Sequence, residues 1–202
     1  MKRIVLASAS PRRISLLKKW GLNFEICPSN SSENSNLTKP SYLVKNLALK
    51  KGAAVALKKP GALIISADTI VVLNGKIIGK PKNKKESEKI IRELNASAHK
   101  VYTGVAIIDT AYKKQIVFYD VAEVKMKKLP EHELEKLFGK HMDKAGAYAV
   151  QDKNDSFVEK IRGDYYTIVG LPYIKLKKEL KKFNVNITAD PETIPVLPQA
   201  AA

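Results

Sequence analysis

The sequence predicts an α/β fold, and three observations carry that prediction. Apolar runs of strand length alternate with amphipathic stretches of helical period, the pattern of a sheet covered by helices. The chain has 202 residues, 45% hydrophobic and 28% charged, an ordinary globular composition that can bury a substantial core within one domain. An Asn74-Gly75 pair between apolar runs supplies the strongest short-range hairpin signal.

Taken in order, RIVLA reads as a buried first strand. Its basic start imitates a signal peptide, but the apolar core IVLA is shorter than the roughly 7–15 residues of such a leader. SPRRISLLKKWG reads as a helix, with Ser10 at the cap, Pro11 in the first turn and Gly21 past the end. NFEIC is a second short strand, PSNSSENSNLTKPS a polar loop, and YLVKNLALKKGAAVALKK a helix with an apolar face. ALIISADTIVVLNGKIIG holds a buried strand and the hairpin, and KKESEKIIREL a charged surface helix. HKVYTGVAIID and KQIVFYDVAEVKM pair as long strands, and PEHELEKLFG is a helix with Pro130 near its start. AGAYAVQD and DSFVEKIRGDYYTIVG are strand or loop segments marked by glycine, and PYIKLKKELKKF closes the fold as a helix. From Asn184 onward periodicity is lost and prolines accumulate, so residues 184–202 are expected to form a poorly packed tail behind a 1–183 domain.

Composition also narrows function. No apolar run approaches the roughly 20 residues of a membrane span. The single Cys27 forms no internal disulfide, so a cytoplasmic home is the default expectation. The formal net charge is +16, which raises nucleic acid as a partner. The lysines are dispersed in short runs without an aromatic-basic signature, so solvated lysine-rich helix faces are the better account, and no nucleic acid is expected.

Against those lysines, arginine is scarce: only Arg3, Arg12, Arg13, Arg92 and Arg162 occur. Two of them stand together in LASASPRR, where a strand gives way to a helix. A helix N-terminus presents unpaired N–H groups and a positive dipole end. Ser8 and Ser10 add hydroxyls, and paired guanidiniums add forked charge that lysine does not reproduce. The alternative is a capped helix with two solvent-facing arginines. Asp68 in IISADTIVV falls at the end of a hydrophobic run, near the carboxyl end of a strand, where α/β folds bind ligands. It is a candidate general base or a ligand for a hard cation; an Asp capping its own turn is the alternative. Lys80, between Gly79 and Pro81 in a stiff turn, returns toward it, whereas Lys82 reads as a surface lysine. The three histidines lack ligand spacing for zinc, and no G-x-S-x-G elbow supports a hydrolase triad.

LASASPRR, SADTIVVLNGKIIGKP, HKVYTGVAI, DKAGAYAVQ and GDYYTIVGLP occur in the order and spacing of the Maf family, and the chain resembles that family from Arg3 to about Phe183. The family comprises nucleoside triphosphate pyrophosphatases related in fold to inosine triphosphate pyrophosphatases. The resemblance implies a strongly curved mixed sheet flanked by helices in two lobes, with a central cleft. It also implies a divalent cation, Mg²⁺ or Mn²⁺, and conversion of a nucleoside triphosphate and water to the monophosphate and pyrophosphate. By position, Asp68 matches the family's proton acceptor and, with Glu33, its metal-binding acids. Ser8, Arg12 and Arg13 match the phosphate loop, Lys51 and Lys80 basic positions, and Gln151 a base-pocket residue. Arg13, Thr69 and Gln151 together mark the branch that takes dTTP and UTP. The sequence departs from the family around Glu33, where the loop is poor in acid, and at Ala96 and Ala149, where glycine is common. A second reading, also implied by the resemblance, is a nucleotide- or nucleic-acid-binding regulator of septum formation; whether the chain forms a homodimer stays open.

Overall fold

A computed structural model describes residues 2–32, 34–150 and 157–189. Glu33, Gln151 and the last thirteen positions, 190–202, lie outside the described residues.

The strands are β1 (Ile4–Leu6), β2 (Glu25–Ile26), β3 (Leu63–Leu73), β4 (Lys76–Ile78), β5 (Ala98–Asp109), β6 (Lys114–Met126) and β7 (Val158–Arg162). They form one mixed sheet in the order β2-β1-β3-β5-β6-β7, with β4 added to β3. β1 runs parallel to β2 and β3, and the remaining pairs are antiparallel. Helices α1 (Pro11–Lys19), α2 (Pro40–Ala56), α3 (Lys84–Leu94), α4 (Glu131–Leu134), α5 (Tyr165–Val169) and α6 (Tyr173–Lys181) flank it. The expected α/β architecture of a mixed sheet flanked by helices is therefore present. The hairpin falls where Asn74-Gly75 placed it: both residues have positive φ, 48° and 77°, as a type I′ turn requires.

Alternation along β3 divides the core. Leu63, Ile65, Ala67, Val71 and Leu73 join the main cluster with Leu17 of α1, Ile91 of α3 and Leu176 of α6. Ile70 and Val72, on the other face, pack under Leu43, Val44 and Leu47 of α2. That helix lies unusually close to the sheet because glycine stands at two contact points. A Cβ on Gly104 would sit 2.2 Å from the Val44 carbonyl oxygen, and one on Gly52 would sit 2.6 Å from Ser66 Oγ. Ser66 Oγ in turn donates to the Ala48 carbonyl at 2.7 Å.

Three sequence expectations need correction. The segment DYYTIVG is a short helix: the Asp164 side chain accepts from Tyr166 N–H, and Gly170 ends it at φ 115°. An Asp cap and a left-handed glycine outweigh the β-branched residues between them. The helix after Pro130 is one α-turn followed by a 3-10 turn, Glu135–Leu137. Residues 184–189 are packed, unlike the expected tail. Val185 and Ile187 are buried in the main cluster, Thr188 N–H donates to the Trp20 carbonyl, and Tyr173 Oη–H donates to the Ala189 carbonyl. Two apolar residues at a spacing of two put both side chains on one side of an extended strap.

Candidate active site

The site begins with a gap in the sheet. β1 pairs with β3 only as far as Ile65, whose carbonyl accepts from Ala7 N–H at 2.8 Å. β4 rejoins the same edge at Val71. Among the described residues no strand pairs with that edge of β3 between these points. Leu63 and Ile65 turn their backbone groups toward β1, so strand alternation turns those of Ala67 and Thr69 toward the gap. The loop Ala7–Arg13 bounds it on one side and Ile77–Lys80 on the other, around a cleft of about 720 Å³. Asp68 therefore stands in the middle of an unbroken strand, not near its carboxyl end as the sequence suggests. It lines the cleft where the neighbouring strand stops.

Ser8, Arg12, Arg13, Lys51, Asp68, Thr69 and Lys80 all line this cleft, so the structure brings seven of the expected site residues together. Ser10 also lines it, and Lys82 is absent from its wall. Glu33 and Gln151 fall outside the described residues. Asp68 is 7% exposed, and Lys51 Nζ donates to its Oδ1 at 2.6 Å. Gly52, next in the chain, lets α2 approach closely enough for that pair.

The two arginines differ in what they hold. Arg13 Nε donates to the Gly170 carbonyl at 3.0 Å, Nη1 to Ser8 Oγ at 3.3 Å and Nη2 to Thr69 Oγ1 at 3.1 Å. Arg13 thereby clamps α1, β3 and the end of α5 together while it also lines the cleft. The Arg12 side chain makes no hydrogen bond among the described residues. Burial draws its pKa below the ordinary arginine value, and the charge of Asp143 opposes that shift. Ser10 holds the N-cap position of α1 without a side-chain cap. Ser8 Oγ instead accepts from Ser10 N–H at 3.2 Å as well as from Arg13, which leaves its hydroxyl proton to donate.

Sequence reasoning missed the opposite wall. Lys144 and Asp143 line it, joined by a 2.6 Å ion pair. Tyr148 lines it as well, and its hydroxyl meets Nε2 of the buried His99 at 2.7 Å. Burial lowers the His99 pKa to about 4 and raises that of Tyr148. The available signal was DKAGAYAVQ, whose glycine Gly146 adopts φ 78° and donates to the Gly79 carbonyl. In all, the described wall carries five basic and two acidic side chains, a balance suited to a polyanion. No group of three or more His, Cys, Asp or Glu gathers among the described residues. Magnesium bound to substrate phosphates needs only one or two protein carboxylates, and Asp68, with Lys51 engaging a single oxygen, fits that mode.

The chain is similar to known proteins in sequence and in fold. A dTTP/UTP pyrophosphatase of Elusimicrobium minutum is 45% identical over 181 residues, covering 90% of this chain and 98% of the relative. A dTTP/UTP pyrophosphatase of Pelotomaculum thermopropionicum is 46% identical over 191 residues, covering 93% and 100%. The solved structure of the Staphylococcus aureus Ham1 protein shares the fold, with a TM-score of 0.54 at 14% identity, covering 91% of this chain and 100% of that one. The family described as Maf-like protein matches residues 3–183, and with that match the chain belongs to the Maf-like protein family.

Proposed function

We propose that this protein hydrolyses nucleoside triphosphates, dTTP and UTP foremost, to the monophosphate and pyrophosphate, as a cytoplasmic house-cleaning enzyme. One observation carries the reading: a buried carboxylate, Asp68, fixed by Lys51 at the open edge of β3 inside a strongly basic cleft. Attack by water suits the site, because the Ser8 oxygen is occupied as an acceptor and no base among the described residues bonds to it to make it a nucleophile. Asp68 accepts the proton of the attacking water, and the anhydride between the α and β phosphates breaks. Arg12, Lys80 and Lys144 face the charge that the departing pyrophosphate gathers. Asp68, together with Glu33, would hold a divalent cation, Mg²⁺ or Mn²⁺, which when bound would supply further neutralisation of the phosphates. Arg13 and Thr69 stand in the cleft wall, and the identity of the relatives supports pyrimidine nucleotides as substrates.

The test is a nucleotide panel with each metal, followed by product identification. Expected are monophosphate and pyrophosphate, with dTTP and UTP turned over at least about tenfold faster than dATP or dGTP. Nucleoside diphosphate and orthophosphate as first products would overturn the reaction, and a preference for a purine would overturn the substrate.

A further inference from the structure

One rung of the sheet is polar where its neighbours are apolar. The register sets Thr69 on β3 opposite Thr103 on β5, and Thr103 opposite Asp120 on β6. Ala67, Val71, Val101, Val105 and Ala122 flank this rung on the same face and belong to the main core. Hydroxyls in such a place are costly unless every one is bonded. Thr103 is fully buried, and the helix α5 lies over it with Thr167.

The hydrogen bonds fix the direction of each proton. Thr103 Oγ1 donates to the Thr167 carbonyl at 2.7 Å. A threonine hydroxyl has one proton, so in its 2.8 Å contact with Thr69 it is Thr69 that donates. Thr69 Oγ1 meanwhile accepts from Arg13 Nη2. The far end is anchored too: Thr167 Oγ1 donates to Asp120 Oδ2 at 2.6 Å, and Lys175 holds Asp120 Oδ1 at 2.7 Å. Thr69 lines the cleft and Thr103 does not. A free threonine hydroxyl turns to donate or accept as its ligand demands. This one has its proton committed inward, so toward the cleft it offers a lone pair only.

We propose that Thr103 is a positioning residue for nucleotide selection: it takes the Thr69 proton and so fixes the hydrogen-bond polarity of the wall formed by Thr69 and Arg13. The proposal rests on the pyrophosphatase reading above. A wall of fixed polarity rejects a nucleotide whose polar edge presents the wrong partner, whereas a rotating hydroxyl tolerates both.

Steady-state kinetics on dTTP and dGTP tests it, with wild type, Thr103→Val, Thr103→Ser, Thr69→Val and the double valine variant. Thr103→Val is expected to reduce the dTTP-to-dGTP ratio of kcat/KM about fivefold or more, through KM, the scale of one misplaced hydrogen bond. Thr103→Ser keeps the acceptor and is expected to retain the ratio. In a Thr69→Val background, Thr103→Val should change the ratio by less than about twofold, because the residue it acts through is gone. An unchanged ratio in Thr103→Val, an equal loss in Thr103→Ser, or additive effects in the double variant would each overturn the proposal. If Thr103→Val does not fold, as judged by its melting curve, Thr103→Ala carries the same expectation. If wild type turns over neither nucleotide, the pyrophosphatase reading fails by itself. The same cycle is then read from dissociation constants of the α,β-methylene analogues of dTTP and dGTP, with the same deciding outcomes.

Discussion

Asp68 and Thr69 are neighbours on β3, yet they serve opposite faces of the sheet in different ways. On the α2 face, Asp68 meets one cation, Lys51, across a short ion pair. On the α5 face, Thr69 enters a run of neutral hydroxyls closed at its far end by Asp120 and Lys175. A charge can act on a reacting phosphate and needs only to be brought there. A hydroxyl can point either way, and it gains a defined role only when its partners remove that choice. The face proposed to react is therefore simple, and the face proposed to position is elaborate.

Removing the charge on the first face should have the largest effect. Asp68→Asn keeps the size of the side chain but loses the proton acceptor, and turnover should fall about 10²–10⁴-fold, the usual range for a general base. Nucleotide affinity, measured by calorimetry, should survive better than kcat. Near-full activity in this variant would remove Asp68 from the mechanism.

The arginine pair sharpens the same contrast. Arg12→Ala should lower kcat about 10²–10³-fold, as for one oriented donor to developing charge. Substituting lysine separates the two residues: Arg12→Lys keeps a cation in the cleft, while Arg13→Lys leaves acceptors on Ser8, Thr69 and Gly170 that one ammonium does not span. Urea unfolding should therefore show a loss of about 1–3 kcal/mol for Arg13→Lys and little change for Arg12→Lys. Equal losses would erase the distinction between a clamp and a ligand-facing group.

The wall that carries Tyr148 has its own pH signature. Burial holds His99 neutral by lowering its pKa from 6.5 to about 4. The unfolded chain binds that proton and the folded chain does not, so stability declines as pH falls from about 6.5 to about 4. The loss across that window should be about 3 kcal/mol, and above it the contribution is constant. Comparing urea midpoints of wild type and His99→Gln over this range tests the assignment: the variant should show a flatter pH dependence, and parallel curves would refute it.

The smallest expected effect concerns the closeness of α2. Gly104→Ala forces a methyl against the Val44 carbonyl, which should cost roughly 1–3 kcal/mol as α2 shifts. Because Lys51 rides on that helix, kcat should fall as well, with the thermal midpoint and the rate moving together. A stable variant with unaltered kcat would show that the Asp68–Lys51 distance does not depend on this contact.

Much of this molecule could be read from local patterns. Strand-length apolar runs, the Asn74-Gly75 turn and Pro11 at the start of α1 act over a few residues, and each lies where the sequence places it. The cluster of Ser8, Arg12, Arg13, Lys51, Asp68, Thr69 and Lys80 was also expected, from motifs in order along the chain. Where a single residue could swing the outcome, local reading failed: the Asp164 cap and Gly170 turned a β-branched run into a helix, and Val185 and Ile187 tied down the start of the supposed tail. Three further features belong to the tertiary structure alone. The open edge of β3 exists because β1 stops at Leu6 and β4 begins to pair only at Val71, a matter of register between distant segments. The division of labour between Arg12 and Arg13 depends on which guanidinium finds acceptors on β3 and α5. The polar rung exists because the register of β3 against the β5–β6 pair aligns Thr69, Thr103 and Asp120 side by side. Periodicity and turn chemistry are short-ranged and are written residue by residue. Register, close approach and the direction of a buried proton arise only when many segments are packed against one another at once.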